Sequence, residues 1–324
     1  MPIQQMLVGI GAPEKFAEAT GGDSVATVGD YKVHTFLSSA QFTVSQLGDT
    51  NEFEILLVAG GAGPGTQWAS GGGGGGGIVN HQTGQALTAA VYDVVVGAGG
   101  AGAGARSSHP ETELGNEGSD SNIHLHSNSS IVLEADISDI GNLPGMSLST
   151  PQANNKYSWN VYMNSTGGNS AKVVNGVTTQ YKGSGGWHQT GYAGGGAGAG
   201  EDGDPVNSTS DSTQSYTPSW AGGASCSFGG GGGDGYSTNM VSGSTAYYGG
   251  GGAAGTKAQG CSGATNQQAP GGQGGGGNGS AFEGGGANAT NGAANTGGGG
   301  GGGTTGRGAG NGGSGVVYIK YKFQ

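Results

Sequence analysis

From Tyr31 the chain alternates between apolar and polar positions. Tyr31-Lys32-Val33-His34-Thr35-Phe36 and Gln41-Phe42-Thr43-Val44-Ser45 both carry the period of two that a half-buried strand requires. Phe53–Ala59 and Val91–Val96 continue as richer apolar runs, and the pattern returns in a terminal strand, Gly315–Phe323. Weaker strand-like patches fall at Asn122–His126, Ser130–Asp136, Tyr157–Tyr162 and Lys172–Tyr181. Only Pro13–Ala19 suits a turn or two of helix, with Pro at its start and Gly21-Gly22 to break it.

Between these strands the hydrophobic pattern stops and glycine takes over. Eighty of the 324 residues are glycine, with unbroken runs at 71–77, 229–233, 249–252, 274–277 and 297–303. Glycine loses more backbone entropy on folding than any other residue, so such runs are either unfolded or build something that only glycine can build. Flexible linkers are the simpler reading. They explain poorly why strands enter and leave the runs. The alternative is a bundle of polyproline-II-type helices made of glycine, three residues per turn, with every N–H and C=O free to bond sideways to a neighbouring helix. On that reading Gly71–Gly77 and Gly297–Gly303, each about 20 Å long, are surrounded on all sides. Mixed stretches such as Gly194–Gly200 and Gly284–Gly292 lie at the edge.

The expected fold is therefore mainly β with irregular structure and almost no α-helix, short N- and C-terminal strands flanking a polyglycine-II bundle with inserted loops. The chain divides into an N-terminal attachment segment (1–30), strands leading into the bundle (31–104), a polar insertion (105–187), and a second glycine-rich part with aromatic loops and the last strand (188–324).

Composition narrows the function. Hydrophobic residues are 32% and charged residues 10% of the chain, both low for a globular domain. The net charge of −11, without any Lys/Arg cluster, argues against nucleic-acid binding. The longest apolar stretch, Ile55–Ala59, is too short to span a membrane. The first residues lack the charged and apolar regions of a secretion leader, so assembly in a cytoplasm is expected. Cys226 and Cys261 are then expected as free thiols, a disulfide being the alternative.

Chemical motifs are few. Gly97-Ala98-Gly99-Gly100-Ala101-Gly102 satisfies the dinucleotide-binding spacing after a strand, yet no helical pattern follows it. Glu201-Asp202-Gly203-Asp204 reads as a solvated turn, with calcium as the alternative. His124 and His126 stand two apart on a predicted strand and so face one side, where they could ligate one metal ion. No nucleophile–base arrangement is visible, so the protein reads as non-enzymatic with no required cofactor. Exposed aromatics anchor partners, which makes Trp187, Tyr192, Tyr216, Trp220, Tyr236, Tyr247 and Tyr248 the candidate contact residues; packing is the alternative role for each.

Leu57-Val58-Ala59-Gly60-Gly61, the long glycine run after it, Val96–Gly100, and Gly-Ser-Gly-Val-Val-Tyr-Ile-Lys-Tyr at Gly313–Tyr321 together resemble the glycine-rich domain of bacteriophage tail-fibre and adhesin proteins. They are also similar to the polyglycine-helix sandwich of tail-fibre tip adhesins. The likeness covers about residues 31–324. It implies a virion structural protein whose scaffold displays loops to a bacterial surface glycan or outer-membrane protein, alongside other virion proteins. Fibre habit implies a homotrimer, and phage fibre tips use His-x-His pairs around an axial metal. The alternative is a capsid decoration, head fibre or tail connector touching only virion proteins.

Overall fold

The computed structural model describes residues 14–66, 71–105, 115–136, 167–184, 193–204, 229–256, 268–281, 286–304 and 306–324. Its described residues are all-β, with no helix. The strands are β1 (Glu18–Gly21), β2 (Ser24–Val28), β3 (Tyr31–Phe36), β4 (Ala40–Gln46), β5 (Phe53–Val58), β6 (Val79–Gln85) and β7 (Val91–Val95). They continue as β8 (Ser121–Leu125), β9 (Ile131–Ala135), β10 (Ser170–Val174), β11 (Val177–Tyr181), β12 (Tyr236–Thr238), β13 (Ala246–Tyr248) and β14 (Val316–Lys322).

One sheet runs β1-β4-β7-β8-β9, a larger one β11-β10-β6-β5-β14-β3-β2, and β12 and β13 form a hairpin. Every pairing is antiparallel except that of β10 with β6. The alternation along β3, β5 and β14 decides which side chains meet. Phe36, Phe53, Ile55, Leu57, Val317, Ile319 and Tyr321 face Phe42, Val44, Tyr92, Val94 and Ile123 of the smaller sheet in one buried core. The opposite face of the larger sheet presents Val33, Leu56, Val58, Val79, Val316 and Tyr318 to a second cluster with Ala199, Met240 and Tyr248. The larger sheet is thus covered on both faces, by the smaller sheet and by the β12–β13 hairpin.

The helix expected at Pro13–Ala19 is not formed in its described part. Residues 14–17 carry no regular structure, and Glu18–Gly21 pairs with β4 instead. Tertiary pairing overrides a local helical preference here, because extended backbone lets Ala17 and Ala19 reach the core. The patch at Lys172–Tyr181 divides into β10 and β11, turned by Asn175 and Gly176, both at positive φ. Tyr157–Tyr162, Cys226 and Cys261 lie outside the described residues.

The glycine segments continue the strands and bond to one another with a period of three. Gly71, Gly74 and Gly77 donate their N–H groups to the carbonyls of Gly303, Gly300 and Gly297, whereas Gly73 and Gly76 donate to Gly194 and Ala197. In the segment 249–256 all three sets of donors are engaged. Gly252 and Gly255 reach Gly74 and Gly71; Gly250, Ala253 and Thr256 reach Gly274, Gly277 and Ser280; Gly251 and Ala254 reach Gly233 and Gly230. These bonds are 2.7–3.2 Å long. Residues 59–63 repeat the pattern with segments 75–78, 116–119 and 313.

Backbones this close leave no room for side chains. A Cβ added at Gly76 or Gly252 would fall well under 3.0 Å from the carbonyl oxygen of Gly249 or Gly300. Residues 71–77 and 297–303 are accordingly buried almost throughout, and 287–291 are largely exposed. Gly194–Ala199, expected at the edge, is buried instead. The Ala199 methyl fills the second apolar cluster, so there alanine serves packing rather than marking a solvent-facing side.

Candidate functional site

The β12–β13 hairpin hangs between two glycine segments, 229–235 before it and 249–256 after it, and lies on the outer face of the larger sheet. Cross-strand register pairs Tyr236 with Tyr248 and Ser237 with Tyr247. Tyr248, expected as a contact residue, is buried. Its ring meets that of Tyr318 at 5.7 Å, and its hydroxyl donates to the Tyr318 hydroxyl at 3.2 Å. Burial, reinforced by that bond, pushes the Tyr248 phenol far above the usual tyrosine range. Its role is core packing.

Tyr236 and Tyr247 instead line a cleft of about 380 Å³ together with Lys172, Glu201, Asp234 and Ser237, floored by backbone at Gly200 and Gly235. Tyr236 is fixed from behind. Its hydroxyl hydrogen-bonds His81 Nδ1 at 2.8 Å, His81 Nε2 meets Glu54 Oε1 at 3.0 Å, and Lys320 Nζ donates to Glu54 Oε2 at 2.9 Å. The His81 hydrogen bond and Lys320 hold the Glu54 carboxyl below its ordinary value, whereas burial and then the Glu54 charge raise the Tyr236 phenol. Lysines lie over the neighbouring rings: Lys320 over Tyr31 at 4.8 Å, and Lys172 over Tyr181 at 5.4 Å and Tyr236 at 5.8 Å. Each is within cation–π range.

The acidic residues of this region hold backbone in place. Asp234 accepts from Gln273 N and Nε2 at 2.7 and 2.9 Å, Asp202 accepts from Lys182 N at 2.7 Å, and Glu201 accepts from Asp234 N at 3.4 Å. The cluster at 201–204 is therefore spread over separate partners. Among the described residues no group of three or more His, Cys, Asp or Glu is arranged to hold a metal ion.

His124 and His126 do face one side, as their spacing requires. Both reach Asp93 on β7: His126 Nδ1 meets Asp93 Oδ2 at 2.8 Å, and His124 Nε2 meets the same oxygen at 3.5 Å. The His126 hydrogen bond holds the Asp93 carboxyl below its usual range. In the dinucleotide-like stretch the N–H of Gly97 is bonded to Ser121 Oγ and that of Gly100 to the Gly61 carbonyl. Trp187, Tyr192, Tyr216 and Trp220 lie outside the described residues.

With the interleaved segments and the cleft in view, the family model for a glycine-rich domain matches residues 37–322. The chain belongs to the glycine-rich domain family. A comparison with curated proteins gives no match. The matched span of this glycine-rich domain takes in all strands from β4 to β14 and every residue lining the cleft.

Sequence reading found Tyr236 and Tyr247 by their aromatic character. It missed Lys172, Ser237 and the Glu54–His81–Lys320 network. No local signal marks them, because the cleft joins residues far apart in sequence. The nearest hint is that Glu54 and Lys320 interrupt apolar strands.

Proposed function

We propose that this glycine-rich domain is a non-enzymatic structural component of a bacteriophage virion, a tail-fibre or tip adhesin that holds host-contacting loops on a rigid polyglycine-II scaffold. The observation that carries this reading is the three-residue period of the lateral hydrogen bonds. Polyglycine II has three residues per turn and no internal hydrogen bonds, so its donors return to the same neighbour at i and i+3, as those of Gly71, Gly74 and Gly77 do. A scaffold of this kind fixes each loop at both ends. The loop aromatics then contact a partner at low ordering cost. The likeness of Leu57–Gly61, Val96–Gly100 and Gly313–Tyr321 to phage adhesin domains supplies the virion setting. The partners proposed are other virion proteins and a bacterial surface glycan or outer-membrane protein.

The test is to label the purified full-length protein and measure its adsorption to host bacteria, with antibody labelling of intact particles in parallel. Saturable adsorption and label at the tail tip support the adhesin. Label confined to capsids, with no adsorption, points to the decoration protein instead. Absence of the chain from particles overturns both.

A further inference from the structure

We propose that the cleft between the β12–β13 hairpin and β10 is a binding site for a neutral saccharide, a reading that rests on the adhesin function and names the chemistry of one contact. Four observations converge. The cleft measures about 380 Å³, within the range of about 300–1,000 Å³ typical of small-ligand sites. Tyr236 and Tyr247 supply aromatic surface for the C–H face of a sugar ring. Tyr236 is held before any ligand arrives by its bond to His81 and by the edge-on packing of the two rings, 5.7 Å apart at 70°, so little side-chain freedom is lost on binding. Glu201, Asp234 and Ser237 add acceptors for sugar hydroxyls.

Charge selects the class. Two carboxylates in the lining repel uronic and sialic acids, and the Lys172 ammonium beside them offsets much of the pull they would exert on an amine. Lys172 is drawn over the Tyr181 and Tyr236 rings, which keeps its charge within the cleft wall. A hydroxyl-rich, uncharged ligand with one apolar face satisfies all of these groups together.

Saturation-transfer NMR on the full chain, with glucose, galactose, N-acetylglucosamine, glucuronic acid and glucosamine as probes, tests the proposal. At least one neutral sugar is expected to bind, and its affinity is expected to fall about tenfold or more in Tyr247→Ala and in Tyr236→Ala. Glu201→Gln, at an exposed side chain, gives a second measure that does not depend on the hydrophobic core. Exposed Ile131→Ser on β9 is the control that leaves binding unchanged. Thermal melts establish that each variant is folded. No binding of any neutral sugar, stronger binding of glucuronic acid or glucosamine, or full affinity in Tyr247→Ala and Glu201→Gln overturns the proposal. If Tyr247→Ala still adsorbs to bacteria as the parent does, the adhesin reading stands and only the assignment of this cleft fails.

Discussion

A single methyl group distinguishes two kinds of glycine in this molecule. Gly84 has φ +67 with open space around the position of a Cβ. Gly84→Ala should cost about 1–2 kcal/mol, from left-handed backbone strain alone. Gly76 adopts ordinary negative φ, yet its Cβ would strike the Gly249 carbonyl. Gly76→Ala should cost about 3 kcal/mol or more, because backbone rather than a side chain must move. Urea unfolding of the two variants checks the order. Titration gives a second prediction at this scale. Burial lowers the His34 pKa below 6.5, and nearby Lys32 adds to the shift. The unfolded chain therefore binds the proton more readily, and stability present above about pH 6.5 is lost as pH falls. Glu54, held below its ordinary 4.5 by His81 and Lys320, extends the loss into the range below that value. The melting temperature should thus fall from pH 7 to pH 5.5, and the fall should shrink in His34→Gln, which cannot take up the proton.

At the level of elements, β14 is the strand on which the larger sheet depends. It pairs β3 on one side and β5 on the other, and Ile319 is fully buried between the sheets. Ile319→Ala should cost about 2–5 kcal/mol, whereas Ile131→Ser on edge strand β9, 60% exposed, should stay within about 0.5 kcal/mol; thermal denaturation compares them. The alternation that made β3 legible, residue for residue, is the same alternation that packs Val33 on one face and Phe36 on the other. β6 was not legible because its buried positions are filled by Asn80, His81 and Gln82, whose hydrogen bonds to Glu134, Glu54 and Asn80 satisfy them where apolar contact normally would. β2 was missed for the opposite reason. It is an edge strand whose residues are mostly exposed, so no buried face disciplines its pattern. The cleft could not be read from any one stretch, since Lys172, Glu201, Tyr236 and Tyr247 meet only after the glycine segments have interleaved.

For the whole molecule, stability should extend through segments that composition alone assigns to flexible chain. Amide exchange at Gly71, Gly74, Gly77, Gly299, Gly300 and Gly302 should be slowed to a degree comparable with β5, because their donors are bonded and buried. Exchange at the rate of a denatured peptide would show that these segments do not interlock in solution. The period of three carries one last consequence, for how such a chain can change length. On the polyglycine-II scaffold proposed here, adding three glycines to a run advances it by one turn, about 9 Å, and every donor still points toward the neighbour it had. Adding one or two turns the whole downstream run out of phase, so that each N–H addresses the wrong segment. Viable descendants should therefore differ in their glycine tracts by multiples of three, while the loops between them lengthen or shorten without any such arithmetic.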